Sequence, residues 1–296
     1  MKPYRTMLFV PGHKGSWADK AIASGTDAII LDLEDSVPPD AKAEARGTAR
    51  ETIERLRDGD GRVNVWVRPN SMQTEHMSAD LEAVSVPGLT GFFLPKVFDA
   101  EELVRIDAVL THIEGRDGLR PGSLELIVTF ETSKSIAHCE EVAQASPRIA
   151  SLLGATGPDA DVGREVGFEF TPEGFETLYV RSRILLASRA AGLHHPVAGV
   201  WQDIKDEAGF RRFAEDNRRL GYRGLVLIHP SHVAPANEIF TPDPDKVAFY
   251  RRMIDAYKEA EAEGSSAVDF EGQHIDIAHV KTAEGVIRLA DAVGAN

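Results

Sequence analysis

The 296-residue sequence has a single cysteine, Cys139, which excludes an intramolecular disulfide framework and suits a reducing compartment. It has no apolar run approaching the ~20 residues of a membrane-spanning helix. The opening stretch MKPYRTMLFVPGHKG contains no signal-peptide core, so a cytoplasmic protein is expected. Basic residues are in deficit, 33 Lys and Arg against 47 Asp and Glu, for a net charge of −14. That balance disfavours broad binding to nucleic acid or an anionic membrane, because phosphates demand clustered cations. It leaves room for a local basic pocket holding an anionic small molecule. Several catalytic signatures are absent: no Walker A or G-x-G-x-x-G loop, no G-x-S-x-G elbow, and no His/Cys cluster at zinc spacing. His194-His195 reads as a surface pair.

What remains has ordinary globular proportions, with 43% hydrophobic and 27% charged residues. Disordered and fibrous classes are therefore excluded. The length admits two average domains, or one α/β barrel of roughly 250 residues with an extension. Short apolar runs alternate with helical patterns. Met7–Val10, Ala28–Leu33, Val63–Val67, Gly91–Leu94, Leu124–Phe130, Ile149–Leu153, Val197–Val200 and Leu225–Ile228 read as buried parallel strands. Candidate helices between them are Trp17–Ser24, Asp40–Leu56, Ser78–Val84, Ala100–His112, Ser133–Ala145, Pro172–Ala191 and Asp206–Leu220. Asp99 with Glu102, and Thr171-Pro172, are helix-start signals; Gly192 and Gly221 are stop signals.

Strict β/α alternation over eight strands fits a (β/α)8 barrel, with an open doubly wound sheet as the competitor. The polar residues favour the barrel. Pro11-Gly12-His13, Glu34-Asp35, Arg68-Pro69-Asn70, Pro95-Lys96, Glu131, the Asp159/Asp161 loop, Gln202-Asp203 and His229-Pro230 each follow a strand. A barrel gathers such ends around one pocket, whereas an open sheet spreads them along a line. The expected division is a barrel over 1–240 and a C-terminal appendage over 241–296. The appendage reads as a helix from Pro244 to about Glu263, a Gly-Ser hinge, a hairpin around Glu271-Gly272 and a last helix, Val280–Val293.

Among these residues, Asp32, Glu34 and Asp35 close an apolar strand. They admit two readings, a solvated strand end or carboxylates that hold a metal-bound water or orient a base. Arg68 at a strand end can grip a carboxylate with its planar fork, and Lys96 offers a point charge. Glu131 and the Asp159/Asp161 loop follow neighbouring strands. Two such carboxylates, completed by water and an acidic substrate, suit Mg2+.

Eight segments in order resemble the citrate lyase β-subunit (CitE-like) group of the HpcH/HpaI aldolase superfamily: Arg5-x-Met-Leu-Phe-Val-Pro-Gly12, Asp27–Val37 with Lys42-x-x-Ala-Arg46, Val67-Arg-Pro-Asn70, Leu94-Pro-Lys96, Phe130-Glu-Thr132, Tyr179-x-Arg-Ser-Arg183, Ile228-His-Pro230 and Phe240-Thr-Pro242. The resemblance implies a (β/α)8 barrel with a C-terminal lid and a homotrimeric or homohexameric assembly. It implies Mg2+, with Mn2+ as a substitute, and cleavage or formation of a carbon–carbon bond in a 3-hydroxyacyl-CoA thioester. Citryl-, malyl- and citramalyl-CoA are candidates, with acetyl-CoA and a 2-oxo acid as products. By resemblance, Glu131 is a metal ligand and Arg68 a catalytic, substrate-binding residue. Arg5 and Lys96 are further substrate-binding positions at the barrel mouth. Asp276, in His274-Ile275-Asp276, is the lid's acid/base.

The metal Asp departs from the family pattern. Counted forward from Gly154 it falls on Gly157; counted backward from Gly167 it falls on Asp161, with Asp159 as the alternative. The family's Gly-Lys before the last strand is Gly224-Leu225. Two competing readings stand beside the lyase: a subunit acting on an acyl-carrier-protein thioester, and a non-catalytic acyl-CoA-binding protein, which the altered Asp loop alone supports.

Overall fold

The computed structural model describes residues 3–59, 63–158 and 160–294. Eight parallel strands close into a barrel in sequence order: β1 (Thr6–Pro11), β2 (Ala28–Asp32), β3 (Asn64–Arg68), β4 (Leu89–Leu94), β5 (Glu125–Phe130), β6 (Ile149–Ala155), β7 (Val197–Gly199) and β8 (Gly224–Leu227). Closure is the pairing of β8 with β1, in which Met7 lies opposite Val226. The competing open sheet is thereby excluded. Every other residue of each strand points inward. Met7, Ile30, Trp66, Phe93, Ile127, Leu153, Val197 and Val226 fill the interior, so the barrel is a packed core rather than a pore.

The surrounding helices are α1 (Trp17–Ala23), α2 (Lys42–Arg57), α3 (Met77–Val84), α4 (Ala100–Asp117), α5 (Ser133–Ala137), α6 (Cys139–Ala143), α7 (Asp161–Val166), α8 (Phe175–Ala190), α9 (Glu207–Leu220) and α10 (Val233–Phe240). Capping explains several boundaries. The Asp99 side chain accepts from the Glu102 N–H at 3.2 Å and starts α4. Gly118, in a left-handed conformation, ends it.

Three helical expectations are corrected. Pro172 does not start α8; the helix begins at Phe175 after a left-handed Gly174, and Thr171 instead binds the Glu176 carboxylate. The span expected as one helix over Ser133–Ala145 is broken at His138. There the Arg183 guanidinium takes the carbonyls of Ile136 and Ala137, at 3.0 and 2.8 Å, which a continuous helix needs for its own ladder. Asp161–Val166, expected as loop, is a short helix closed by a left-handed Gly167.

The chain divides into two compact units, with the boundary inside α10 after Asn237. The second unit contains α11 (Pro244–Ala262), the antiparallel hairpin β9 (Ala267–Phe270) and β10 (Gln273–Asp276), and α12 (Ile277–Val293). Met253, Ile254, Tyr257, Ile275, Val280 and Ala283 form its own core. Among the described residues, no helix is long and apolar enough to cross a membrane.

Behind β5 and β6 a buried arginine closes the barrel's other end. Arg148 binds both oxygens of Glu114 at 2.7 Å, and it also contacts Asp107 and Thr111. Burial pushes the Glu114 carboxyl up, but Arg148 and the N–H groups of Leu124 and Gly122 outweigh it and hold the group at about 2. A depressed carboxyl of this kind contributes stability that is present above its ordinary 4.5 and lost as pH falls toward 2. Arg148→Met leaves that charge buried and unpaired, an expected cost of about 3–5 kcal/mol. Urea unfolding at pH 7 measures it, and the variant should show a smaller further loss between pH 4.5 and 2.

Candidate active site

The carboxyl ends of the strands surround one mouth. Asp32 and Arg68 end β2 and β3 as direct register partners. Their side chains form a two-bond fork, Nε to Oδ1 at 2.7 Å and Nη2 to Oδ2 at 2.8 Å. Asp32 also accepts the N–H groups of Glu34 and Ser36. Burial pushes its carboxyl up, but these bonds outweigh that and keep it below the usual range. Gly12 permits the close approach of β1: its N–H reaches the Asp32 carbonyl at 2.7 Å, where any Cβ would collide with that oxygen.

The remaining Arg68 nitrogen, Nη1, faces Glu34 at 3.3 Å and Asp35 at 3.6 Å. The guanidinium carbon lies 4.7 Å from the centre of the Phe9 ring. Glu34 in turn binds Lys96 Nζ at 2.9 Å, and the Lys96 N–H binds Glu131 Oε2 at 2.9 Å. Lys96 adopts φ +49°, a conformation rare in side-chain-bearing residues. The positive φ marks the place where the chain turns to aim both its N–H and its ammonium at carboxylates.

Two cavities open on this array. A larger one of about 940 Å3 is lined by Phe9, Trp17, Lys20, Asp32, Arg68, Gln202, Ile228 and His229, among others. A smaller one of about 250 Å3 is lined by Ser71, Gln73, Lys96, Glu131, Thr132 and Asp161, with Arg164 and Glu165 at its edge. Glu131 is pushed up to about 7, first by burial and then by the charge of Glu34, with Asp161 adding to it; the Lys96 N–H and Arg68 oppose the rise. Two carboxylates facing one cavity under that strain are a fitting oxygen donor pair for a hard divalent cation, with water or substrate supplying the other ligands. Asp161 is half-buried and touches Arg164 of its own helix.

The structure thus gathers Arg68, Lys96, Glu131 and Asp161 at the mouth. Arg5 is a correction. It precedes β1, at the opposite end of the barrel, where its guanidinium and N–H bind Asp27 at 2.7 to 3.0 Å. Asp159 lies outside the described residues. Gly157, the forward register for the metal Asp, admits no side chain, because a Cβ there would stand 1.6 Å from the Val200 carbonyl oxygen. Asp276 belongs to the second unit, where it caps α12. Its Oδ1 accepts the N–H groups of Ala278 and His279 at 2.9 and 3.3 Å and lies 2.7 Å from the His279 ring nitrogen. The hydrogen bond to His279 keeps its carboxyl below the usual range.

The sequence reading missed the layer behind the mouth. Lys42 spends its ammonium on the carbonyls of Leu33 and Glu34 and on Asn70 Oδ1, at 2.9, 3.0 and 2.6 Å. Asn70 and Arg46 are both anchored to the buried Asp80. The available signal was a carboxylate, Asp80, inside the apolar helix start Met77-Ser-Ala-Asp-Leu81, together with Lys42 and Arg46 one helical turn apart.

Known proteins resemble this chain over nearly its whole length. Residues 5–230 match the model of the HpcH/HpaI aldolase/citrate lyase family. The chain is similar to the L-malyl-CoA/beta-methylmalyl-CoA lyase of Cereibacter sphaeroides, with 36% identity over 312 aligned residues covering 99% of this chain and 96% of that one. It is also similar to the (3S)-malyl-CoA thioesterase of Cereibacter sphaeroides, at 33% identity with 99% and 96% covered. Among solved structures, it resembles CitE of Mycobacterium tuberculosis in complex with magnesium, acetoacetate and coenzyme A. There the TM-score is 0.74 and the identity 27%, with 98% of each chain covered.

The raised Glu131 carboxyl gives this site a pH signature. Below pH 7 the metal-free group holds a proton that a cation must displace. Mg2+ affinity should therefore rise by up to about tenfold per pH unit below that value and level off above it, with proton release on binding. Calorimetric titration with Mg2+ in buffers of different ionisation enthalpy measures both. Glu131→Gln should remove the release and most of the affinity; an affinity independent of pH between 5 and 8 would contradict the assignment.

Proposed function

The chain belongs to the HpcH/HpaI aldolase/citrate lyase family, and we propose that it is a magnesium-dependent carbon–carbon lyase acting on malyl-CoA or beta-methylmalyl-CoA. The observation that carries the reading is the pairing of Glu131 and Asp161 on one small cavity that Lys96 also lines. In the cleavage direction the bond between the hydroxyl-bearing carbon and the carbon next to the thioester breaks. The hydroxyl loses its proton and becomes the carbonyl of glyoxylate. The electron pair passes to the thioester enolate, which takes up a proton to give acetyl-CoA or propionyl-CoA.

Glu131 and Asp161 would hold the cation. Bound Mg2+ supplies Lewis-acid polarisation of the 2-oxo acid oxygens. The small cavity suits that acid fragment, and the larger, mostly apolar one suits the thioester arm. Arg68 acts differently from a free clamp. Its fork is spent on Asp32 and Nη1 lies 3.3 Å from Glu34, so a substrate carboxylate or developing oxyanion would share Nη1 with Glu34. Lys96 adds a second positive charge. Asp276 serves as the acid/base at the acetyl methyl; held below the usual range, its carboxylate is ionised at neutral pH, as proton abstraction in the condensation direction requires.

We assign the second unit the role of lid and assembly segment, with the protein a cytoplasmic homotrimer or homohexamer whose sites take Asp276 from a neighbouring copy. The thioesterase relative supports a second reading, hydrolysis of the same thioester to malate and free CoA. Incubation of the protein with malyl-CoA and Mg2+, followed by mass spectrometry, separates the two. Acetyl-CoA with glyoxylate supports the lyase, malate with free CoA supports the hydrolase, and an inert mixture refutes both. Glu131→Gln should abolish turnover with the fold intact. Arg68→Lys should lower kcat/KM by at least about 100-fold, because lysine cannot make the fork to Asp32. Mixing Asp276→Ala and Glu131→Gln subunits, each inactive alone, should restore part of the activity; mixed oligomers without recovery would place Asp276 in its own chain's site or in none.

A further inference from the structure

The rim where the strands begin, opposite the mouth, carries cations that the lyase reading leaves without a task. Two loops meet there, residues 191–196 between α8 and β7 and residues 221–223 between α9 and β8. The Arg223 N–H donates to the Pro196 carbonyl at 2.8 Å. Arg189, in the last turn of α8, donates to the carbonyls of His194 and Gly221 at 3.0 and 3.5 Å. Arg218 stands in the last turn of α9. No carboxylate occurs at 187–196 or at 217–223, and Glu215 and Asp216, next along α9, are both taken by Arg219. Elsewhere in this acidic chain Arg5, Arg46, Arg148 and Arg183 each meet a carboxylate. Among the described residues, Arg189, Arg218 and Arg223 have no ion-pair partner. Like charges press on one another instead. Burial first, and then the charges of Arg189 and Arg218, lower the Arg223 guanidinium from its ordinary value. His195 is held at about 4 by burial first, with His194, Arg189 and Arg223 adding to it.

Capping of the helix ends explains part of this, since a cation near a helix C-terminus is favourable, and Arg189 makes such bonds. It does not explain Arg223, which lies beyond α9 and is half-buried. Among the described residues, no hydrogen bond from its guanidinium is recorded. Nor does it explain His195. Its carbonyl is fixed by the Ser151 hydroxyl at 2.8 Å, while its ring Nδ1 is buried without a partner. We propose that the rim between these two loops is a binding site for a small anion carrying more than one phosphate charge, with Arg189, Arg218 and Arg223 as its cations and the His195 ring beside them. Guanidinium forks match the oxygens of a phosphate. Three of them, from two helix ends and a loop, exceed what one carboxylate can accept. The occupant is small because the chain's net charge of −14 repels an extended anionic surface, whereas a small anion meets only the local cations. The site lies at the starts of β7 and β8, away from the mouth, and it stands whichever thioester reaction the barrel performs.

Calorimetric titration of the full chain with inorganic pyrophosphate, without added divalent cations, tests this. Circular dichroism verifies the fold of each variant. The wild type should bind one pyrophosphate per chain with a dissociation constant below about 1 mM at low salt, and added KCl should weaken it. Arg223→Ala and Arg218→Ala should each raise that constant by about tenfold or more. Arg218 is exposed, with no recorded bond from its side chain among the described residues, so its variant keeps the test valid if Arg223→Ala fails to fold. Lys20→Ala, at the large cavity of the mouth, should leave the constant unchanged. Citrate, an anion of comparable charge built from carboxylates, should bind at least about tenfold more weakly than pyrophosphate. Absence of pyrophosphate binding would overturn the proposal, as would binding that is lost in Lys20→Ala but kept in Arg223→Ala and Arg218→Ala. So would citrate binding as tight as pyrophosphate, which marks unselective charge screening. Capture by phosphatidic-acid vesicles that these arginine variants abolish would assign the rim to a lipid surface and overturn it too.

Discussion

The buried ion pair of Asp32 and Arg68 organises the mouth of the barrel. Two opposite charges at the paired ends of adjacent strands are expensive to desolvate, and such a pair survives only when its remaining polar atoms are satisfied. Here Asp32 takes the Arg68 fork and two backbone N–H groups. Arg68 lies over Phe9 and turns its last nitrogen to Glu34. The pair then dictates its neighbours. Glu34, whose N–H Asp32 holds and whose carbonyl Lys42 holds, sets its carboxylate between Arg68 and Lys96. Lys96 passes the alternation on through its N–H to Glu131. The result is a row of alternating charges fixed before any ligand arrives, which is the preorganisation that makes electrostatic stabilisation effective.

That row also separates two environments. Arg68 and Asp32 face the large, mostly apolar cavity, whereas Lys96 and Glu131 face the small one, whose lining residues are mainly polar and charged. That division suits the proposed substrate, with its bulky thioester arm and small acid end. The Lys42–Asn70–Asp80–Arg46 layer keeps the boundary in place by tying β2, β3, α2 and α3 together. Lys42 uses all three of its donors within this layer.

The barrel was legible in the sequence because parallel strands buried on both faces leave continuous apolar runs, and each run was located to within a few residues. The strand ends were legible too, since charged residues directly after an apolar run have few places to go. What the sequence concealed was how these groups share partners. Nothing in Val67-Arg68-Pro69 announces that the guanidinium fork is consumed by Asp32, because the register that opposes them is a property of the closed sheet. Arg5 misled for a related reason. Its motif neighbours are mouth residues, but β1 runs from Thr6, so a side chain before the strand lies at the far end. The helix break at His138 was hidden as well, because its cause is an arginine 45 positions further along the chain, Arg183.

Asp276 caps α12, and that cap bears on the acid/base role proposed for it. Its three recorded hydrogen bonds, from the N–H groups of Ala278 and His279 and with the His279 ring, all fall on Oδ1. Among the described residues, Oδ2 has no recorded hydrogen bond. Proton transfer at Oδ2 would leave this cap in place. The cap fixes the carboxylate's direction at the start of α12, and the His279 bond keeps it ionised. The cap therefore suits the proposed acid/base role: the residue that begins the last helix is held in place and ionised, with Oδ2 outside the capping bonds.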